Sequence, residues 1–556
     1  MTSDKSGSRQ IIIALALFCA AFLLRLIYLL QMKGDPLFVN LIGGDSIYYD
    51  FVARMIIEGN WSDKTAFLHS PLYRYFLVVL YSLFGRDLDV VRYVQAVLGS
   101  VNAVLVYFIG KRIFNETVGL IAGIMMALYR IFFFFEGLLL PDSILPFLCL
   151  LTILAVIIAC ETMNYKRWVI AGACLGLCAI TRPNMLLFFP FTVLWVLLKT
   201  HASWRKTLLS SVSLSIGAML IISPITLRNY LIERDFVLIT AAGGLNFYIG
   251  NNPYTEGSYY LPEGMSFRIG DPFDDFYGRK IAEEANGNKK LTTPQISNYW
   301  LRRGLAFVRE EPAAAAKLFA RKWLLLINSY EIPQPDDFYA YQVHAPILRL
   351  PLPTTAVVMP LGILGIFLSF KPGRKSLVLH FFIFSYALSI VIFFIVARYR
   401  LPLLPFMTIF TAYSISWMIE TLRVRRFERL SGAVLALFLL FVFCNPGVKV
   451  ALAHSYGTAT ATSTATATGT ATASPSSTAT ATSTGTPRPI PTMEPLVIPS
   501  GLAADWQQYA CLGSTILVVL CCFGPLSLAV LISALWLGTR SARLRSRSAS
   551  PDYRSR

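Results

Sequence analysis

The chain has 556 residues, of which 55% are hydrophobic and only 14% charged, and its mean hydropathy is +0.58. A soluble protein of this length needs far more charge to cover its surface, so soluble enzymes and scaffolds are excluded and a polytopic membrane protein is indicated. The net charge of +18 then reads as cytoplasmic Lys and Arg, with no nucleic-acid partner implied.

Apolar runs near the ~20 residues a crossing helix needs occur at about 11–31, 90–110, 117–135, 143–160, 207–226, 354–370, 376–396, 402–419, 430–445 and 511–537. The stretch 167–199 is broken by Thr181-Arg182-Pro183-Asn184, which predicts two short helices meeting at a proline-started turn. Twelve spans result, and the first, too long and lacking a small-residue cleavage site, reads as an anchor rather than a signal peptide. The nine cysteines lie in or beside these runs and form neither a zinc pattern nor a disulfide framework.

With a cytoplasmic N-terminus, the clusters Lys111-Arg112, Lys166-Arg167, Lys199 with Arg205-Lys206, Lys371 with Arg374-Lys375, and Arg423 to Arg429 all fall inside. The opposite, extracytoplasmic side of a plasma membrane receives the first loop (32–89), with surface helices at 47–58 and 71–84. It also receives the turn with Glu136 and Asp142, the long loop 227–353 and the turn Arg398-Tyr399-Arg400-Leu401-Pro402. In the long loop, residues 314–329 have the pattern of a helix lying in the interface. Residues 1–445 are read as the core, 446–510 as a Thr/Ala-rich disordered external stalk, 511–537 as a last transmembrane helix and 538–556 as a basic cytoplasmic tail.

A transferase working at a bilayer surface needs a base for an acceptor hydroxyl and cations for a departing phosphate. Asp45 and Asp142 supply acids, and Arg182, Arg228, Arg398 and Arg400 supply cations, all on one predicted face. Trp61, Tyr48, Tyr49 and Tyr399 either line a sugar pocket or form an interfacial aromatic belt. Plainer readings stand beside these: Asp45 and Asp142 as helix caps, Arg398 and Arg400 as snorkelling side chains. Asp87-Leu88-Asp89 matches a nucleotide-sugar metal motif by letter only, and Asp274-Asp275 and Asp336-Asp337 read as solvated turns.

The motifs, in order, are Gly44-Asp45-Ser46 with Tyr48-Tyr49, Ser70-Pro71-Leu72-Tyr73, Glu136-Gly137, Pro141-Asp142, Thr181-Arg182-Pro183-Asn184, Arg228-Asn229-Tyr230, Gly250-Asn251-Asn252-Pro253 and Arg398-Tyr399-Arg400-Leu401-Pro402. This order resembles the GT-C membrane glycosyltransferases of the protein O-mannosyltransferase and aminoarabinose-transferase superfamily, over about residues 10–445. The resemblance implies an all-α, GT-C-type bundle of about eleven core transmembrane helices plus one C-terminal helix. It implies transfer of a sugar from a polyprenyl-phosphate donor to a protein, lipid or glycan acceptor, with inversion, Asp45 as base and Asp142 as the second catalytic acid. Tyr49, His69, Glu136, Arg182, Arg398, Tyr399 and Arg400 become substrate-binding residues. His69-Ser70-Pro71-Leu72 stands where the family commonly has Lys-Pro-Pro-Leu. A divalent metal is the one cofactor left open, with no ligand set assigned to it, and the lipid-linked sugar is the donor substrate. The competing reading is a lipid or sugar flippase, disfavoured by few midplane charges and no evident inverted repeat.

Overall fold

A computed structural model describes residues 2–41, 44–60, 65–199, 203–260, 278–371 and 375–445, within one compact unit, Met1–Pro446. Trp61, Asp274-Asp275, the stalk, the last predicted span and the tail lie outside the described residues. The described residues are helical and contain no strand, so the expected all-α class is borne out.

Hydropathy runs and helices coincide closely. Five helices are long and apolar enough to cross a membrane: Ser8–Met32, Leu88–Ile113, Leu145–Thr162, Trp204–Glu233 and Phe427–Cys444. Shorter apolar helices occupy Pro183–Lys199, Thr355–Ser369 and Leu377–Val391, and Leu404–Arg423 fills the next predicted run. The break at Arg182-Pro183 is present, since Pro183 cannot donate to the helix Tyr165–Thr181 and opens a 3-10 turn instead. The run at 117–135 is not one straight helix: Glu116–Leu128 and Arg130–Glu136 meet at 51°. No proline marks that bend. Tyr129 is held there by a hydrogen bond with Thr355 Oγ1 (3.0 Å), and Arg130 Nη1 donates to Leu348 O (2.6 Å).

Outward faces stay apolar: Leu209, Met219 and Leu220 on Trp204–Glu233, and Leu435, Phe438 and Leu439 on Phe427–Cys444, are all exposed. In lipid such faces gain nothing by meeting one another, so helix association depends on close packing. Helices Tyr165–Thr181 and Trp204–Glu233 achieve it through Gly172 and Gly217. A Cβ on either would lie 2.0 Å from a carbonyl oxygen of the other helix, Leu214 O or Val169 O.

The predicted surface helices are Gly44–Ile57 and Pro71–Phe84. They bury Tyr49, Ala53, Tyr73 and Leu77 against Val91, Leu139 and Ile144. In a water-facing loop, each large side chain so buried contributes about 1.5–3 kcal/mol relative to exposure. The predicted interface helix is Pro312–Ile327. The basic connections share one face: Arg112 and Lys375 both reach Glu161 (2.5 and 3.0 Å), while Arg9 and Lys111 approach Glu116 (3.9 and 3.8 Å). Asp142 opens the helix whose far end carries Glu161, so the acids of interest occupy the other face.

Gly172→Leu is expected to abolish the close helix crossing. Overpacking typically costs about 1–3 kcal/mol, and backbone that cannot yield raises this, so little monodisperse protein should be recovered from detergent. A normal yield with an unchanged melting temperature would contradict the crossing.

Candidate active site

Four charged side chains from distant segments form a chain of alternating sign. Asp45 sits in the first turn of Gly44–Ile57, where the helix dipole favours an anion. Its carboxylate accepts from Arg398 Nη1 at 2.5 Å. The same Nη1 lies 4.0 Å from Asp142 Oδ2, and Asp142 accepts from Arg182 Nη2 through its other oxygen. Asp142 is fully buried and Asp45 is one-quarter exposed. The order is therefore Asp45, Arg398, Asp142, Arg182, which balances two negative and two positive charges.

Each residue is placed by a local break. Asp142 lies in the turn Pro141–Ser143 ahead of a transmembrane helix, and Arg182 caps the C-terminus of Tyr165–Thr181 where Pro183 stops it. Arg398 belongs to the four-residue helix Ala397–Arg400. Tyr399 lies against both cations, its ring centroid 4.0 Å from the Arg182 guanidinium and 5.2 Å from that of Arg398. Tyr386, which the motifs do not contain, holds this turn by donating to Tyr399 O at 3.0 Å.

His69 closes the cluster on the first-loop side. Its Nε2 is 3.8 Å from Asp45 Oδ1, and its ring packs 4.1 Å from that of Tyr48 and 6.1 Å from that of Tyr49. Arg74 donates to the Tyr48 hydroxyl. Burial pushes the Asp45 carboxyl up, but Arg398, His69 and Arg182 together outweigh it and hold the group below the ordinary aspartate value.

Asp336, expected in a solvated turn, is a neighbour of this cluster. It accepts from Tyr341 Oη at 3.2 Å, and its second oxygen is buried. Burial pushes its pKa up to about 6, with Arg398 lowering it and Asp45 raising it. A polar residue in a Pro-rich loop carried no periodicity that would have signalled burial. Asp337, by contrast, caps the helix Phe338–His344.

Three expected residues are placed elsewhere. Glu136 forms a buried two-point ion pair with Arg25 (2.6 and 3.2 Å). Arg400 is 1% exposed and reaches Glu331 at 2.5 Å, Tyr330 O at 2.7 Å and Asn328 O. Arg228 donates to Thr65 O at 2.9 Å and covers the Phe67 ring. Among the described residues no three His, Cys, Asp or Glu side chains converge as metal ligands. Asp45 and Asp142 already face guanidiniums, so this donor set does not fit a divalent cation.

Residues 68–227 match the family described as dolichyl-phosphate-mannose-protein mannosyltransferase. The resemblance read from the motifs is borne out over this segment. It includes His69, Asp142 and Arg182 and excludes Asp45 and Arg398. No curated protein matches the chain. Similar solved structures include the Archaeoglobus fulgidus oligosaccharyltransferase AglB with an inhibitory peptide and a dolichol-phosphate, at 14% identity and TM-score 0.45, covering 78% of this chain and 55% of that one. The same organism's oligosaccharyltransferase in the apo form matches at 13% identity and TM-score 0.44, with 78% and 55% covered. The chain thus spans about half the length of these proteins.

Arg400→Ala removes the partner of a buried carboxylate, Glu331. Breaking a buried pair costs about 3–5 kcal/mol, so a large drop in thermal stability in detergent is expected. Unchanged stability together with weakened donor binding would return Arg400 to the substrate site.

Proposed function

We propose that the chain is a membrane glycosyltransferase that moves a sugar from a polyprenyl-phosphate carrier to a hydroxyl-bearing acceptor. The observation that carries this reading is the Arg398 guanidinium standing between Asp45 and Asp142, with Arg182 completing the row. Two arginines beside two carboxylates, at one end of a helical bundle, suit a reaction that deprotonates a hydroxyl and releases a phosphate. The family match over 68–227, named for a lipid-phosphate sugar donor, supports the donor class.

In the proposed reaction the acceptor oxygen attacks the anomeric carbon while the bond from that carbon to the phosphate oxygen breaks. Asp45 takes the acceptor proton, and the phosphate departs with its extra negative charge held by Arg398 and Arg182. One direct displacement inverts the anomeric configuration. His69 and Tyr49 line the approach to Asp45, Asp142 holds Arg182, and Tyr399 keeps both arginines apart. The site is assigned to the extracytoplasmic face because the basic connections gather on the other one.

The arginine bridge also couples donor binding to the base. Without donor, Arg398 holds Asp45 ionised, which makes it a weak base. A lipid phosphate that draws Arg398 away leaves Asp45 to the effect of burial, raises its pKa and strengthens it as the acceptor arrives.

Asp45→Asn preserves shape and removes the base, so transfer should fall about a hundredfold to ten-thousandfold while the protein remains folded and binds the lipid donor. Activity above about a tenth of wild type would exclude Asp45 as base.

The pH dependence has a defined sign. A base whose pKa is lowered stays ionised further into acid, so the acid limb of kcat/KM, which reports the free enzyme, should lie below the ordinary aspartate value of about 3.9. The limb of kcat, which reports the donor complex, should lie higher. Arg398→Gln should move the kcat/KM limb upward; an unmoved limb would break the link between the two groups.

A further inference from the structure

The motif Gly250-Asn251-Asn252-Pro253 begins at the last residue of the helix Gly243–Gly250 and grips the segment 392–396, which leads into Arg398. Gly250 packs on the backbone of Phe393, since a Cβ there would lie 1.9 Å from Phe393 O. Asn251 Nδ2 donates to Ile392 O and to Phe247 O, both at 2.8 Å. Asn252 Oδ1 accepts from Tyr254 N at 2.9 Å and from Thr255 N at 3.1 Å, which shapes the turn that follows. At the end of that turn Gly257, with φ +93°, offers its carbonyl to Ile395 N at 2.9 Å. Residues 392 and 395 are thus fastened just ahead of the helix Ala397–Arg400. Phe394 carries the contact on to Tyr399, whose ring centroid is 5.2 Å away.

Asn251 is itself oriented by a side chain that packing alone does not call for. Lys322, on Pro312–Ile327, is 0% exposed, and its Nζ donates to Asn251 Oδ1 at 2.9 Å. Among the described residues no carboxylate pairs with it; the adjacent Arg321 takes Glu256, at 2.5 Å. Burial pushes the Lys322 ammonium down to about 7. A buried cation without an acid is costly, and methionine would fill the same space without that cost. Gly257 leaves room for it, because a Cβ there would lie 3.0 Å from Lys322 Cγ.

The position therefore calls for a donor. An ammonium can only donate, so it decides which end of the Asn251 amide faces the two carbonyls. Turned over, the amide would set its oxygen against Ile392 O and Phe247 O and its NH2 against the ammonium.

We propose that Lys322 is a positioning residue: through Asn251 it holds the segment 392–396 so that Arg398 stands between Asp45 and Asp142. Lys322 touches no reacting atom. Its consequence for catalysis rests on the transfer reading above, whereas its hold on the backbone does not.

Hydrogen exchange of the full-length protein in detergent, read by mass spectrometry over 392–400, tests the hold without activity. Lys322→Met keeps an apolar stem and removes the donor. It should speed exchange at the Ile395 and Ala397 amides about tenfold, the worth of one charge-assisted hydrogen bond. Lys322→Gln, which keeps an N–H donor, should recover part. Should Lys322→Met not fold, Asn251→Ala reads the same hold and should speed the same amides. Arg309→Met, an exposed residue of the preceding helix Thr293–Glu310, should change nothing.

In transfer assays Lys322→Met should lower kcat/KM for the lipid donor about tenfold. It should also move the acid limb upward, as Arg398→Gln does. Asp45, which that limb reports, faces Arg398, His69, Arg182, Tyr49 and Asp336, and Lys322 reaches it through the Arg398 turn. General loss of folded protein would lower turnover and leave the limb in place. In an Arg398→Gln background Lys322→Met should add no further loss. Unchanged exchange in Lys322→Met and Asn251→Ala would overturn the proposal, as would an unmoved acid limb or an undiminished loss in the Arg398→Gln background. A wild type that transfers no sugar would strike the transfer reading instead, and exchange over 392–400 would still decide the hold.

Discussion

Arg398 is a cation shared by two carboxylates, Asp45 and Asp142, that belong to segments far before it in the chain. Asp45 lies 353 positions before it, and Asp142 belongs to the turn between the bent span and the next helix. Removing a single charge from a buried cluster of this kind leaves its partner uncompensated, which is far more costly than losing a surface pair. The loop after Leu377–Val391, the break at Arg182-Pro183, the turn at Asp142 and the first-loop helix are therefore tied together by electrostatics as well as packing. The residues proposed to act on substrate are also the ones that register these segments against each other.

The neighbouring Arg400 shows how the same residue type serves a different end two positions away. Side chains at i and i+2 of a helix do not face each other, so Arg398 and Arg400 leave the short helix Ala397–Arg400 in different directions. Arg398 meets the acids. Arg400 meets Glu331 and the carbonyls of Asn328 and Tyr330, while Ala397 N donates to Ile332 O at 2.9 Å. These bonds bind residues 328–332 to the turn and bring Asp336 into the field of Arg398 and Asp45.

Charge is also handled differently at the two ends of the bundle. On the Asp45 face, acids and arginines alternate and neutralise one another. On the far face, three lysines and one acid line a single cavity. A further pair, Arg25 with Glu136, is closed and buried, satisfied within the protein as a charge in an apolar layer must be.

Helix positions were legible in the sequence because a bilayer imposes a length and an apolar composition on every span. The grouping of basic clusters on one face was legible from the same constraint on charge. The pause at Arg182-Pro183 was visible because proline lacks the N–H a helix needs. The bend at Tyr129 was not, since it depends on partners at Thr355 and Leu348, more than two hundred residues away. The candidate acids Asp45 and Asp142, with Arg182 and Arg398, were legible as residues emerging on one side of the membrane. Which of Arg398, Arg400, Glu136 and Asp336 would reach them was decided only by tertiary structure. An ion pair is chosen by direction and distance in space, and neither has a period along the chain.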